Sequence, residues 1–382
     1  MKRGTASIIS KCGIVALALL MAYSEDSCSE DSKPDEPQRM EIDVLNGMTP
    51  VKDQGKSSNC WAYAMLAAIE TEHIMRGDSV NLSVAYMMRC MMRDNYINFC
   101  LTGGKAPVSD RGMGQTLLNI MKDYGAMPYD SYRVKESTVD ARHGNTDYHD
   151  KNELGSKVIL KKTKMIAQKA VNTHSGWQKY EPMLNKMLNE SLGFCPEHVY
   201  MLGSVYTPQE FGRSVCAPGE YVALTSFTHH AFEETFALEV PDNWEHNLFY
   251  NLPLDSMMAV IDQAVKGGHG VCWEGDITEK GFSFRRGIAT INDNAPYRKG
   301  DETYGQRKRQ EYFERLMTTD DHCMAIVGIA HDEKGQKYYI MKNSWGRKNP
   351  YGGLVYVSEP YVRMKTIAVY LPLAVMEHSS AR

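Results

Sequence analysis

Helix-forming runs dominate the first third of the chain, and short apolar strands dominate the last third. A helix is predicted from Trp61 to about Arg76, a second from Ser83 to about Arg93, and a third over Gln115–Tyr124. Gly77 stands where the first of these helices is expected to end. This order predicts a helical half that is followed later by a sheet.

Residues 132–200, in the middle of the chain, are polar. They contain two helix-forming stretches, Ser156–Val171 and Glu181–Leu192, within a predicted insertion that spans residues 132–250. A further helix is predicted over Asp255–Lys266. Apolar runs bounded by turn residues then predict the strands of an antiparallel sheet, over residues 270–274, 324–330, 338–341, 354–357 and 366–371.

The first 24 residues are predicted to be a signal peptide. Lys2 and Arg3 precede a short apolar stretch at residues 13–22, and the small residues Ala22 and Ser24 favour cleavage after residue 24. The alternative is a short N-terminal helix of the mature protein. Cleavage predicts an exported protein, either periplasmic or secreted.

Residues 25–41 are acidic and almost free of apolar side chains, which predicts a flexible tether. The alternative is a propeptide that occupies a binding cleft, for which the segment is short and polar. Lipid attachment at Cys28 is not expected, because Glu25 occupies the position where a lipoprotein signal carries an apolar residue.

Composition is that of a globular protein. Charged residues make up 24% and hydrophobic residues 43% of 382 residues, which is enough for a large core. Mean hydropathy is −0.43, and no apolar run reaches the length of a membrane span. Without the three basic residues of the signal, 43 Lys and Arg fall to 40 against 47 Asp and Glu, a net charge of about −7. That balance argues against a nucleic-acid partner.

Cysteine and histidine patterns give no support for a metal site. The chain has nine cysteines, of which Cys12 lies in the predicted signal, and no disulfide pair can be assigned. Neither a Cys-x-x-Cys pair nor a His-Glu-x-x-His motif occurs, and the adjacent His229 and His230 are interpreted as structural. No metal and no other cofactor is therefore expected.

Cys60 is the first candidate for chemistry. A polar, turn-prone segment ends at Cys60 and the predicted helix begins directly after it. A helix N-terminus carries partial positive charge and favours an anion, so a thiol there loses its proton more easily. Gln54, six residues earlier, is a side-chain donor that can return to the same place. The alternative is an inert, buried cysteine.

A histidine and an asparagine further along the chain favour the interpretation of Cys60 as a nucleophile. The strands predicted at 324–330 and 338–341 flank a turn at Asp332–Gly335. The midpoint between His322 and Asn343 falls within this turn, so an antiparallel hairpin brings the two side chains together at its open end. An imidazole that is held by an amide is suited to exchange a proton with a cysteine.

These residues resemble the papain-like cysteine peptidases. The Cys60-Trp61 pair and the run Asn343-Ser344-Trp345-Gly346 match that family, and the chain looks most like its bleomycin hydrolase and aminopeptidase C branch. The histidine follows the cysteine by 262 residues, against roughly 130–150 in papain, and the branch carries such insertions. Further runs that look like the branch lie at 110–113, 206–211 and 304–319.

The resemblance implies an α+β, two-lobed fold, with a helical lobe, an antiparallel β-sheet or barrel lobe, and an active-site cleft between them. It implies a Cys60 nucleophile, a His322 partner, an Asn343 orienter and Gln54 in the oxyanion hole. It also places Gly112, Gly114 and Trp345 along the substrate cleft. The implied domains are a helical lobe at 42–131, the insertion at 132–250, a β-rich lobe at 251–371 and a tail at 372–382.

Peptide substrates follow from the resemblance, and an aminopeptidase of the bleomycin hydrolase type is favoured. In that branch a C-terminal arm lies in the cleft, and its carboxylate receives the free amine of the substrate. The alternatives are an endopeptidase with an open cleft, a non-peptidase acyl transferase or amidase, and a catalytically silent binding protein. Related enzymes form hexamers, so a homo-oligomer is an expectation.

Overall fold

A computed structural model describes residues 38–132, 153–201, 203–291, 300 and 302–380. The predicted signal peptide and nearly all of the predicted tether lie outside these residues. In the part described, the α-helices are α1 (Cys60–Met75), α2 (Val84–Leu101), α3 (Gly114–Tyr124), α4 (Glu153–Asn172), α5 (Glu181–Leu192), α6 (Pro208–Val215), α7 (Leu254–Lys266), α8 (Gln306–Glu314), α9 (Glu359–Lys365) and α10 (Leu373–Ser380). Short 3-10 turns occupy Trp177–Lys179 and Glu302–Tyr304.

The strands form one large mixed sheet and one separate hairpin. They are β1 (Met40–Leu45), β2 (Val199–Met201), β3 (Ser204–Tyr206), β4 (Tyr221–Thr225), β5 (Thr235–Ala237), β6 (Leu248–Asn251), β7 (Val271–Gly275), β8 (Phe282–Ser283), β9 (Ile288–Ala289), β10 (His322–Asp332), β11 (Lys337–Lys342), β12 (Leu354–Ser358) and β13 (Thr366–Pro372). The large sheet runs β5-β6-β4-β13-β7-β10-β11-β12-β9-β8, with β1 also paired to β10, while β2 and β3 pair with each other.

Helices cover both faces of this sheet. Side chains alternate along a strand, and on β7 Cys272 belongs to the core that contains α1, α2 and α3, whereas Trp273 belongs to the core that contains α7. On β10 the same alternation separates Cys323 from Met324. Helix α1 therefore lies on one face and α7 on the other.

The helical half follows the sequence prediction closely. Helix α2 begins after Ser83, whose hydroxyl accepts a hydrogen bond from the Tyr86 backbone N–H at 3.1 Å. It continues to Leu101, beyond the predicted end near Arg93. The extension packs against α4, which lies in the predicted insertion, so tertiary contact explains the added length.

The predicted insertion contributes to the large sheet. Strands β4 and β6 pair in parallel, and β4 pairs antiparallel with β13, so residues 221–251 extend the sheet that carries the candidate site. The strands β4, β5 and β6 are only three to five residues long, and β4 pairs with a strand more than a hundred residues away. The lobe boundaries at 131 and 250 stay a prediction.

The tail residues that are described form a helix. Helix α10 begins at Leu373, directly after β13, and Val375 is 3% exposed within the core that contains α7. This helix therefore lies on the sheet face opposite α1. Within the described ranges no helix is long and apolar enough to cross a membrane.

Candidate active site

Cys60 is the first residue of α1, as the sequence predicts. Its neighbour Trp61 is fully buried, and the indole N–H donates to the Asp110 carbonyl at 2.9 Å. The Asp110 carboxylate also accepts from the Ser58 backbone N–H at 3.2 Å. The start of α1 is thus held against the loop that precedes α3, while Cys60 itself stays partly exposed.

The open end of the β10–β11 hairpin holds His322 and Asn343 in contact. His322 Nε2 lies 2.8 Å from Asn343 Oδ1. That oxygen also accepts the backbone N–H of Ser344 at 2.7 Å, which identifies it as the acceptor of the amide. His322 Nε2 must then carry the proton, and Nδ1 is left to face Cys60.

The hairpin differs in one detail from the simple version that the sequence predicts. A bulge between Ile326 and Gly328 shifts the register, so Ala325 pairs with Lys342. Asn343 therefore reaches His322 diagonally rather than from directly across the ladder. The two side chains are nevertheless adjacent.

Cys60 is biased toward its thiolate. A hydrogen bond from the Cys323 thiol holds the pKa of Cys60 well below its usual range, and a hydrogen bond and the charge of His322 lower it further against the effect of burial. Burial and the neighbouring Cys60 raise the pKa of Cys323 well above its usual range. Cys60 therefore loses its proton first, and Cys323 remains the donor.

Hydrogen bonds to both the oxygen and the nitrogen of its side-chain amide fix the orientation of Gln54. Its Oε1 accepts from the Ser344 hydroxyl at 2.5 Å, and its Nε2 donates to the Ser57 carbonyl at 2.7 Å. The Gln54 backbone N–H also donates to the Ser344 carbonyl at 2.7 Å. An amide nitrogen has two hydrogens, so one N–H is available beyond the bond to Ser57.

Trp345 covers His322. The two rings lie 4.7 Å apart at an angle of 37°, and Phe282 and Phe284 pack edge-on against the indole. The isolated Asp53–Trp345 backbone bridge joins this segment to the residue that precedes Gln54. This packing shields the His322–Asn343 hydrogen bond from water.

Gly112 and Gly114 are both buried, and packing explains why each is glycine. A Cβ on Gly112 would lie 3.2 Å from the Trp61 ring, and a Cβ on Gly114 would lie 2.7 Å from the Tyr370 ring. Contact of these two residues with substrate stays a prediction.

A buried ion-pair network holds the end of β11 against α1. The Glu70 carboxylate, on α1, lies 2.8 Å from Lys52 Nζ and 3.6 Å from Lys342 Nζ. Lys342 Nζ also donates to the Thr49 hydroxyl at 2.7 Å. Because Lys342 immediately precedes Asn343, this network fixes the asparagine relative to the helix that starts with Cys60.

One group of residues has the composition of a metal site. Donor atoms of His229, His230 and Glu239 lie within 4.8 Å of one another. Gln310 Oε1 accepts from the Thr228 backbone N–H, so Gln310 Nε2 donates to His229 Nδ1 at 3.0 Å. His229 then carries its proton on Nε2 and donates it to Glu239 at 3.1 Å. A ligating histidine needs the opposite tautomer, so this group does not fit a metal.

Fold and site define the class of protein. Helix α1, which carries Cys60, packs against the sheet that carries His322 and Asn343. This is the arrangement of a papain-like cysteine peptidase. A family model described as the Peptidase C1-like family matches residues 92–371. The chain belongs to this family and is a cysteine peptidase. The matched range includes His322 and Asn343 and begins after Gln54 and Cys60.

Two relatives that match most of the chain are named as aminopeptidases. Aminopeptidase E of Lactobacillus helveticus is 23% identical over 81% of this chain and 76% of its own length. Aminopeptidase W of Lactobacillus delbrueckii subsp. lactis is 22% identical over 86% of this chain and 81% of its own. The crystal structure of PepW from Lactobacillus rhamnosis superposes with a TM-score of 0.63 at 17% identity, covering 89% of this chain and 85% of that one, and it confirms the fold.

Four residues beside the site were given no role by sequence reasoning. Cys323 directly follows His322, and Asp320 lies two residues before it, so proximity in sequence is a signal for both. Arg111 stands in the quoted run at 110–113, but its partner Asp242 is 131 residues away. Only the structure brings those two together.

Proposed function

We propose that this peptidase is an aminopeptidase that works by acyl transfer through Cys60. The observation that supports acyl transfer through Cys60 most strongly is the 2.8 Å contact between His322 Nε2 and Asn343 Oδ1, with the acceptor identity fixed by the Ser344 N–H. It leaves His322 Nδ1 for Cys60, whose pKa the surroundings hold low.

The proposed reaction has two halves. The Cys60 thiolate attacks the scissile carbonyl carbon, a C–S bond forms, and the C–N bond breaks as protonated His322 gives its proton to the leaving amine. Water then attacks the thioester, His322 accepts the proton of that water, and the C–S bond breaks to release the acid and restore the thiolate. Asn343 keeps the imidazole oriented throughout.

Gln54 stabilises the oxyanion in both halves. Its second amide N–H and the backbone N–H of Cys60 are the donors that the site offers to the tetrahedral oxygen. Ser344 and Ser57 already fix the orientation of the Gln54 amide, so little reorganisation is needed as charge develops.

The aminopeptidase assignment is supported by the names of two relatives that each match more than four fifths of the chain, at 81% and 86%. The competing candidate is an endopeptidase with an open cleft. The two differ in whether the enzyme requires a free amino terminus on its substrate.

A pair of fluorogenic dipeptide substrates tests the proposal, one with a free amine and one acetylated, both assayed under reducing conditions. We expect cleavage of the free-amine substrate and little of the acetylated one. Cys60→Ala is expected to fall to background with unchanged circular dichroism, because it lacks the nucleophile. Comparable cleavage of both substrates would identify an endopeptidase, and normal activity in Cys60→Ala would refute the site.

Export and homo-oligomer formation stay predictions. Export is supported by the signal-like pattern of residues 1–24, and mass spectrometry of the mature N-terminus would test it. Light scattering of the purified protein would test the oligomer.

A further inference from the structure

The loop before α3 is fastened to the start of the nucleophile helix. Asp110 binds Trp61 and Ser58, and Gly112 packs against the Trp61 ring. Arg111 lies between these two anchors, and its backbone N–H donates to the Ser109 hydroxyl at 3.0 Å. The backbone of Arg111 is therefore fixed on the Cys60 side of the site.

The side chain of Arg111 reaches the His322 side. Its Nη2 donates to the Asp320 carbonyl at 3.2 Å, and Asp320 lies two residues before His322. Its Nε donates to Asp242 Oδ1 at 2.7 Å. The Arg111 guanidinium thus connects the loop before α3, which is bound to α1, to the segment that leads into β10.

Asp242 is itself rigidly held. Its backbone N–H donates to Asp320 Oδ2 at 3.1 Å, which closes a three-residue cycle with Arg111. The next residue, Asn243, is 3% exposed and donates to the Leu238 and Asn247 carbonyls, both at 3.0 Å. The Arg111 bridge, defined as Arg111 with Asp242 and Asp320, is therefore anchored at each of its three corners.

The bridge lies next to Cys60. The hydrogen bond to Asp242 raises the pKa of Arg111, and the charge of Cys60 raises it further. Burial raises the pKa of Asp242, with Cys60 adding to the rise. Asp110, which precedes Arg111, binds Ser58 and Trp61 on either side of Cys60 in the chain, and this geometry places the bridge beside the thiol.

The described tail offers no alternative barrier. Helix α10 packs with α7 on the sheet face opposite α1, so residues 373–377 do not approach Cys60. The bridge, in contrast, connects the two elements that carry Cys60 and His322. Charge-assisted bonds from a planar guanidinium give such a connection a fixed geometry.

We propose that the Arg111 bridge closes the substrate cleft beside Cys60 and limits the acyl side of the peptide to a short segment that ends in a free amine. This inference rests on the proposed aminopeptidase function and names a residue that determines its specificity. The Asp242 carboxylate binds the guanidinium and the Asp320 carboxylate accepts the Asp242 N–H, so the closed end carries two acidic side chains for one cation, which favours an ammonium group over an acetylated nitrogen.

Length selectivity tests the bridge. Wild type, Arg111→Ala and Arg111→Lys are compared on fluorogenic substrates with one, two or three residues before the scissile bond, each with a free and an acetylated amine. We expect Arg111→Ala to raise kcat/KM on the acetylated and longer substrates by about tenfold or more, with free-amine substrates changed far less. Arg111→Lys cannot make both contacts and should be intermediate.

Controls keep the outcome interpretable. Arg315→Ala removes an exposed ion pair to Glu311 elsewhere and should leave the selectivity unchanged. Asp242→Asn weakens the same bridge from its other end. In every variant, labelling of Cys60 with iodoacetamide measures the fraction of folded active sites. If the wild type requires a free amine and both Arg111→Ala and Asp242→Asn still require it, the proposed role of the bridge is wrong. The aminopeptidase proposal would still stand. A wild type that already cleaves acetylated peptides would overturn both.

Discussion

The Cys323 thiol, which follows His322, lowers the pKa of Cys60, the proposed nucleophile. Cys323 is buried on the sheet face that packs against α1, where its hydrogen bond to Cys60 is the largest influence lowering the pKa of Cys60. A thiol donor stabilises the thiolate form and has less effect on the thiol form, so it acts on the equilibrium directly.

Cys323→Ala is therefore expected to raise the pKa of Cys60. The thiolate would then form only at higher pH. The acid limb of the profile of kcat/KM against pH would therefore shift to higher pH, with the plateau rate little changed. Cys272→Ala is the matched control, since Cys272 is buried on the same face and gives Cys60 no hydrogen bond among the contacts described. An unshifted acid limb, together with unchanged alkylation of Cys60 across pH, would contradict this role.

A site residue was predictable from the sequence where the pattern that indicates it lies in neighbouring residues of the chain. Cys60 follows a turn and begins a helix, and the separation of His322 from Asn343 matches a hairpin. The Arg111–Asp242 pair has no such signal, because it joins a loop before α3 to a loop after β5. Gly112 and Gly114 carry a signal that is ambiguous, since close packing and substrate contact both favour glycine.

At the level of elements, α1 and β11 are joined by charge as well as by apolar packing. Burial raises the pKa of Glu70, but Lys52 and Lys342 outweigh it and hold the pKa below its usual range. Burial lowers the pKa of Lys342 to about 8 despite Glu70. Each group depends on the others to remain charged inside the protein.

Glu70→Ala should destabilise the protein by about 3–5 kcal/mol, because it leaves two lysines without their buried partner. Urea unfolding measures this loss, and the double variant Glu70→Ala with Lys342→Met should recover part of it. Glu311→Ala, which removes an exposed acid from two surface pairs, should leave the midpoint unchanged. Since the folded-state pKa of Glu70 is lowered, its contribution is present above the unfolded pKa and lost as pH falls through the folded one.

The main helices and the β10–β11 hairpin were predictable, whereas the register of that hairpin and the pairing of strands distant in sequence were not. The hairpin turn at Asp332–Gly335 follows from its residues, whereas the bulge at Ile326–Gly328 does not. Gly328 lies where β1 crosses β10, and a Cβ there would be 2.4 Å from the Val44 carbonyl. A contact with a strand almost three hundred residues earlier cannot be inferred from the local pattern.

For the whole molecule, the proposed aminopeptidase activity needs a part of the chain that selects the free amine of a substrate. The resemblance to the bleomycin hydrolase branch predicts a C-terminal arm in the cleft. Here Leu373–Ser380 forms α10, and its buried Val375 packs with α7 on the face opposite Cys60. The tail therefore contributes apolar packing, while the Arg111 bridge lies beside the nucleophile.

Deletion of residues 373–382 separates these two roles. We expect a lower unfolding midpoint, because α7 loses the cover of Val375, and an unchanged preference for free over acetylated substrates. Val375→Ala, which removes the same contact without shortening the chain, should lower the midpoint less and match the deletion in selectivity. If the deletion instead cleaves acetylated substrates as fast as free ones while Val375→Ala does not, the tail reaches the cleft and the Arg111 bridge is not the barrier. If both keep the preference and Arg111→Ala loses it, selection for the free amine resides in the loop fastened to α1.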